Sequence, residues 1–404
     1  MQDMIDIEKF ISEHITGRDS SLFARDIAAN DALLRERIAG RRLLVIGGAG
    51  SIGSSYIKAM LAYGPSQLVV VDLNENGLAE LTRDLRSTQG LRVPDDYRTY
   101  TLDFDSEIFR RIFRANGGFD IVANFSAHKH VRSEKDRYSV EALLENNVLK
   151  ARHLLDLLAE TPPERFFCVS TDKAANPANV MGASKRLMED LVMARRGQFC
   201  VTTARFANVA FSNGSLLDGF IQRMMKRQPL AAPADVRRYF VSPAESGQIC
   251  MMACMLGRSG EIFFPRLDEH RMMRFSDICD SFLRVQGLEP YRCADEAEAR
   301  RMAAAMSPGS RLYPVCYTPS DTTGEKQYEE FYTPDETPDM ARFASMGVLT
   351  AAPVRIAALD RLLDYLAGTF AADDFSKADI VDALRGYVPG FEHTETGRNL
   401  DQKM

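Results

Sequence analysis

The chain has 404 residues, 50 Lys+Arg against 56 Asp+Glu for a net charge of −6, and 45% hydrophobic residues. At about 150 residues per domain this makes two to three units with room for a sizeable core, and the globular composition excludes disordered and fibrous classes. Charges are interspersed, which argues against a nucleic-acid-binding arm. The early Asp3, Asp6, Glu8 and Lys9, with no long apolar run anywhere, exclude a signal peptide and membrane insertion, so a cytoplasmic location is expected.

Residues 1–40 predict helix, from the apolar period in Leu22–Ala28 and Leu33–Ile38 closed by Gly40. This segment reads as an accessory or oligomer-contact element. From Arg42 the pattern changes to short β-rich runs separated by helix-length stretches: Leu43–Ile46, Leu68–Val71, Thr99–Leu102, Ile121–Asn124, Phe166–Ser170 and Val201–Arg205. Such alternation specifies βαβ units, hence an α/β fold with a doubly wound parallel sheet of the Rossmann type. Pro229, Pro233 and Pro243 break the rhythm after about residue 211, as expected of a smaller substrate lobe. The expected organisation is an N-terminal helical segment (1–40), a dinucleotide-binding domain (41–210), a substrate lobe (211–332) and a C-terminal helical tail (333–404), with residues 318–339 polar and Pro-rich.

The first strand runs into Gly47-Gly48-Ala49-Gly50-Ser51-Ile52-Gly53 and a helix over Tyr56–Leu61. Gly47 permits a tight turn, and Gly50 lets the backbone at Ser51 and Ile52 approach a pyrophosphate at a helix N-terminus. Gly53 allows close helix–strand packing. The second strand ends at Asp72, an acceptor for an adenosine ribose that would repel a 2′-phosphate, and no arginine follows in Leu73-Asn74-Glu75-Asn76. NAD is therefore expected over NADP. Asp103 and Phe104, at the end of the third strand, are expected at the adenine edge.

Seven scattered cysteines without a C-x-x-C pair suit a reducing compartment. Cys250 and Cys254 lie among apolar residues and read as core, and no H-E-x-x-H occurs, so no metal is expected.

Three stretches carry chemistry: Ser126-Ala127-His128-Lys129-His130-Val131, Ser170-Thr171-Asp172-Lys173-Ala174-Ala175-Asn176-Pro177 and Met181-Gly182-Ala183-Ser184-Lys185. The fifth strand delivers Thr171, Asp172 and Lys173 to the carboxyl end of the sheet, so an acid and a base stand side by side. Met181 and Lys185, four apart, share a helix face.

With the G-x-x-G-x-x-G loop, these segments resemble the extended short-chain dehydrogenase/reductase superfamily. Within it they resemble the polysaccharide-biosynthesis branch of nucleotide-sugar 4,6-dehydratases that act on UDP-N-acetylglucosamine and its relatives. The resemblance continues through Arg205-Phe206-Ala207-Asn208-Val209, Arg238-Tyr239-Phe240 and Gly324-Glu325-Lys326, about residues 42–332. Some members have an N-terminal membrane region, and this chain looks like the short cytoplasmic form. The resemblance implies that Lys185 holds the nicotinamide ribose, and that Asn147 is the active-site helix asparagine. It also implies that Lys129 lines the sugar site and that a dimer or higher oligomer forms on helices of the Rossmann domain. Where the wider superfamily has a proton-accepting tyrosine, this chain has Met181, whose thioether has no proton to exchange. Thr171, relaying to Asp172 or Lys173, is then expected to take the C4 hydroxyl proton.

The resulting expectation is 4,6-dehydration of a nucleotide-activated N-acetylhexosamine, with Lys173 as C5 base and Asp172 as C6 acid. Burial and the cations of Lys129 and Lys185 are expected to lower the Lys173 pKa. Arg238 is the foremost diphosphate candidate, Arg205 and Arg237 are weaker ones, and Asn208 is expected to orient the sugar diphosphate. Glu245 reads as a helix-start residue. The alternatives are a nucleotide-sugar 4-epimerase, which needs no acid at C6, and a catalytically silent binding module.

Overall fold

Runs of Leu, Val, Ile and Phe that are apolar on both faces can only be central strands covered by helices on either side. In the computed structural model, which describes residues 5–130, 134–307, 309–320, 329–393 and 395, they form one eight-stranded sheet. Its strands are β1 (Arg42–Ile46), β2 (Gln67–Asp72), β3 (Asp96–Thr101), β4 (Ile121–Asn124), β5 (Arg165–Val169), β6 (Cys200–Ala204), β7 (Glu261–Pro265) and β8 (Met346–Thr350). The order across the sheet is β8-β7-β6-β5-β4-β1-β2-β3, and every pair is parallel except β7 with β8. Register follows the sequence pattern, with Leu43 opposite Leu68 on β2 and Ile121 on β4.

Alternate residues of each strand enter two separate cores. Leu43, Val45, Leu68 and Val70 pack under the helices Asp31–Ile38, Ser51–Leu61, Glu75–Ser87 and Pro243–Leu256. Leu44, Ile46, Val69 and Val71 face the opposite layer, where Glu107–Ala115, Lys150–Glu160 and Val180–Ala194 lie. The chain reverses direction across the sheet between β1 and β4, so their carboxyl ends open a crevice at a topological switch point, where open α/β sheets bind ligands.

The sheet does not end at residue 210. β7 comes from the stretch assigned by sequence to the substrate lobe, and β8 from the tail expected to be helical. Each completes the edge because burial against β6 and β7 satisfies its backbone. The rest of the tail, Ile356–Ala372 and Lys377–Tyr387, packs on the layer of Val180–Ala194. Arg152 pairs there with Asp364 at 2.9 Å, and Arg137 with Asp373 at 3.0 Å. The two C-terminal helices thus cover this layer of the sheet.

The lobe has its own small core around Leu217, Phe220, Ile278, Phe282 and Val315. The N-terminal segment divides between two cores. Phe10, Ile11 and Ile15 enter the lobe core, whereas Phe23, Leu34 and Ile38 join the layer over β1. Glu245 caps its own helix with Ser242 and also takes a bidentate bond from Arg18 at 2.9 and 2.7 Å. These apolar residues of the N-terminal segment are therefore packed within the chain. Among the described residues no helix is long and apolar enough to cross a membrane.

Candidate active site

The glycine loop after β1 has the geometry its sequence demands. Gly47 takes φ +73°, and a Cβ there would stand 2.5 Å from the Ser126 backbone nitrogen, so the loops after β1 and β4 touch. A Cβ on Gly53 would lie 2.4 Å from the Gly47 carbonyl oxygen. Gly50 is the N-cap of Ser51–Leu61 and supplies no side-chain acceptor, which leaves the N–H groups of the first helical turn for an anion. Ser51 Oγ accepts from the Asn213 backbone at 2.8 Å and joins the loop to the lobe, while Ile52 packs on the apolar layer.

Asp72 sits at the end of β2 beside this loop. It accepts from Ala49 N at 3.0 Å and Asn74 N at 2.9 Å. Asp103 is bonded by the Lys150 ammonium and by the Asp105 backbone, and the Phe104 ring is buried in the core. The Phe104 ring is thus used in packing.

The second group gathers at the end of β5. Thr171 leads into a 3₁₀ turn, Asp172–Ala174, with Asp172 buried at 5% exposure. The Thr171 hydroxyl donates to Asp172 Oδ1 at 2.6 Å, and the Lys173 ammonium donates to Oδ1 and Oδ2 at 3.1 and 3.3 Å. The structure gives Lys173 a different nearest neighbour from the cations expected around it. Its bonded partner is a carboxylate, while the Lys129 ammonium donates to the Asn213 carbonyl at 3.0 Å and that of Lys185 to the Val169 carbonyl at 3.1 Å.

Lys185 lies one helical turn after Met181, and both are buried in Val180–Ala194. Burial pushes the Lys185 ammonium below its ordinary value, although Cys168 and Glu189 oppose the shift. Cys168, buried in the same core, is pushed up to about 11, so it stays a protonated thiol. Met181 is part of that core.

Asn147 lies in a π-helical turn, Glu145–Leu149, between two α-helical stretches. Its amide accepts from His128 N at 2.8 Å and donates to His128 O at 3.0 Å and Ser184 Oγ at 3.0 Å. Its described contacts fix the loop after β4 against the helix that carries Lys185, which is a positioning role. Val131 and the Gly324-Glu325-Lys326 motif lie outside the described residues.

Arg205 is the clearest correction. It is fully buried, and its fork grips Glu189 at 2.8 and 2.7 Å, Glu336 at 2.9 and 3.1 Å and the Phe331 carbonyl at 3.0 Å. These bonds occupy its guanidinium, so it is a structural anchor and not a diphosphate ligand. Glu189 also accepts from Ser170 Oγ at 2.6 Å, which ties the anchor to the residue before Thr171.

Asn208 and Arg238 do come together, and they do so through a residue that sequence reasoning missed. Glu329, a buried carboxyl, accepts from Asn208 Nδ2 at 2.8 Å and from Tyr239 N at 3.0 Å, with Arg238 Nε 3.8 Å away. Arg237, its neighbour, is exposed. A Glu in a polar, Pro-rich stretch has no local signature. The signal available was the pair Glu329-Glu330 just beyond the Gly-Glu-Lys motif. Among the described residues no group of His, Cys, Asp and Glu could hold a metal ion, and Cys250 and Cys254 are both in the core.

A family model described as polysaccharide biosynthesis protein matches residues 43–336. The chain is 26% identical over 332 residues to the capsular polysaccharide biosynthesis protein CapD of Staphylococcus aureus, covering 81% of this chain and 52% of that protein. It thus spans about half the length of that relative. It is 31% identical over 281 residues to an uncharacterized membrane protein of Methanocaldococcus jannaschii, covering 68% of this chain and 79% of the other. Identity to the UDP-glucose 4-epimerase of Rickettsia typhi is 28% over 233 residues, 56% of this chain and 66% of that enzyme. Among solved structures, the dTDP-glucose 4,6-dehydratase DesIV of Streptomyces venezuelae, with NAD and DAU bound, shares the fold. Its TM-score is 0.54 and its identity 20%, over 72% of this chain and 88% of that one.

Proposed function

This chain belongs to the polysaccharide-biosynthesis family of extended short-chain dehydrogenases/reductases, and from that premise we propose that it is a nucleotide-sugar 4,6-dehydratase using NAD. The substrate class we assign is a nucleotide-activated N-acetylhexosamine such as UDP-N-acetylglucosamine. The observation that carries the reading is the hydrogen-bonded run Thr171–Asp172–Lys173 at the carboxyl end of β5.

The residues suit a dinucleotide. The uncapped helix at Gly50 offers donors to a pyrophosphate, Asp72 keeps acceptor capacity for a ribose, and Lys185 presents a buried ammonium beside Val169. The cofactor, when bound, supplies a hydride acceptor for C4 of the sugar and a hydride donor for C6.

Proton accounting then assigns the rest. Thr171 takes the C4 hydroxyl proton while passing its own to Asp172 along the 2.6 Å bond. Asp172 delivers that proton to the departing C6 hydroxyl, which leaves as water. Lys173, once its ammonium has released a proton to solvent, removes the C5 proton acidified by the 4-ketone, returns it to C5 after C6 is reduced and takes a proton back from solvent. One water leaves, and every catalytic group regains its starting proton count. This cycle needs no tyrosine, and so it accommodates Met181.

A 4-epimerase is the rival within the family, but it has no use for an acid aimed at C6. Incubation with UDP-N-acetylglucosamine and mass spectrometry of the product separates them. Loss of one water supports dehydration, and unchanged mass with inverted C4 supports the rival.

A further inference from the structure

Residues 329–331 lace three parts of the site together. Glu329 binds the lobe through Asn208 and Tyr239, Glu330 accepts from Asn176 of the catalytic loop at 3.0 Å, and the Phe331 carbonyl accepts from the buried Arg205. The Glu329 carboxyl takes donors on both oxygens, which an amide in its place could not do, since it has one acceptor atom and one donor. The charged groups that face it come from two elements: Asp172 and Lys173 from the turn after β5, and Arg238 from the lobe.

We propose that Glu329 is a positioning residue for the nucleotide sugar, holding Asn208 and Arg238 as one unit against the Asp172–Lys173 pair. This deepens the dehydratase reading and rests on it for the identity of the substrate. Burial, reinforced by the charge of Asp172 and opposed by Lys173, Arg238 and the Tyr239 backbone, raises the Glu329 carboxyl above its ordinary value. Its two oxygens are engaged by Asn208 and Tyr239, so loss of either acceptor releases the segment that carries Arg238 from the Asp172–Lys173 turn.

The test is Glu329→Gln in the full chain with bound cofactor, titrated with UDP-N-acetylglucosamine by calorimetry and assayed for dehydration. The Kd and KM should each rise roughly 10-fold, with a smaller change in kcat, because a polar contact is lost at the substrate and not at the reacting atoms. A double variant with Asn208→Ala should bind no worse than the weaker single, since both remove the same unit. Should Glu329→Gln not fold, Glu329→Asp serves: it keeps two acceptor oxygens, and should raise KM with kcat nearly unchanged. Unchanged affinity, a loss confined to kcat, or additive losses would overturn the role of Glu329. Absence of dehydration by wild type, with binding as described, would instead defeat the reading of the reaction.

Discussion

The Thr171 hydroxyl donates to the same Asp172 oxygen that receives the Lys173 ammonium, at 2.6 and 3.1 Å. A proton entering at Thr171 therefore has a bonded path to Asp172. Thr171→Val keeps the shape and removes the relay, and Asp172→Asn keeps hydrogen bonding but cannot deliver a proton. Each should slow turnover by roughly 10²–10⁴-fold with little change in nucleotide-sugar KM. Steady-state kinetics check this, and a Thr171→Val variant of full activity would remove Thr171 from the cycle.

Lys173→Ala should separate oxidation from elimination. Without the C5 base, bound reduced cofactor should accumulate, seen as new absorbance in the near ultraviolet, while no dehydrated product forms. A variant that completes turnover would defeat the assignment.

Arg205 sits between the buried Glu189 and the half-buried Glu336, so Arg205→Met should cost stability before it costs chemistry. Leaving Glu189 and Glu336 without their partner should destabilise by about 3–5 kcal/mol, measured by denaturant unfolding. Burial alone would raise the Glu189 carboxyl, but Arg205, Arg186 and the Ser170 hydroxyl outweigh it and hold the group below its ordinary value. For a carboxylate lowered in the folded state, the stabilisation is present above its unfolded pKa and is lost as pH falls through the folded one. The gap between wild type and variant should accordingly narrow on acidification below about pH 4.5. An equal gap at pH 7 and pH 3.5 would contradict it.

Gly53→Ala tests the glycine loop through packing. The added Cβ would stand 2.4 Å from the Gly47 carbonyl, a rigid backbone atom, so the helix Ser51–Leu61 must shift off β1. A loss of about 1–3 kcal/mol is expected, with weaker NAD binding. Calorimetric Tm and NAD titration read both, and an unchanged pair would show that the loop can move.

Much of this architecture was legible in the sequence. Five of the six expected strands left the record of a central parallel strand buried on both faces, and the sixth, β3, is the half-buried edge strand Asp-Tyr-Arg-Thr-Tyr-Thr. β7 and β8 were not legible, since Glu-Ile-Phe-Phe-Pro and Met-Gly-Val-Leu-Thr are short, carry Pro or Gly, and join the sheet only after the chain has crossed the lobe. The same distance hid the fate of Arg205. An arginine at a strand's carboxyl end looks like an anion ligand until Glu336, 131 residues away, is seen beside it. The Thr171–Asp172–Lys173 run was legible because its bonds are local, whereas Glu329 reaches Asn208 across 121 residues.

Asp72 links cofactor choice to loop geometry, because the carboxylate that would meet a ribose also holds Ala49 N and Asn74 N. Asp72→Ala should therefore weaken NAD binding and narrow its preference over NADP. Parallel titrations with the two cofactors check this, and unchanged selectivity would move the determinant elsewhere.

The most direct test of the dehydratase account is the product formed from UDP-N-acetylglucosamine in deuterated water, analysed by mass spectrometry and proton NMR. The account predicts a sugar one water lighter than the substrate, with solvent deuterium at C5 delivered by Lys173 and the hydrogen moved from C4 to C6 free of solvent label. A product of unchanged mass, or a dehydrated one without deuterium at C5, would contradict it.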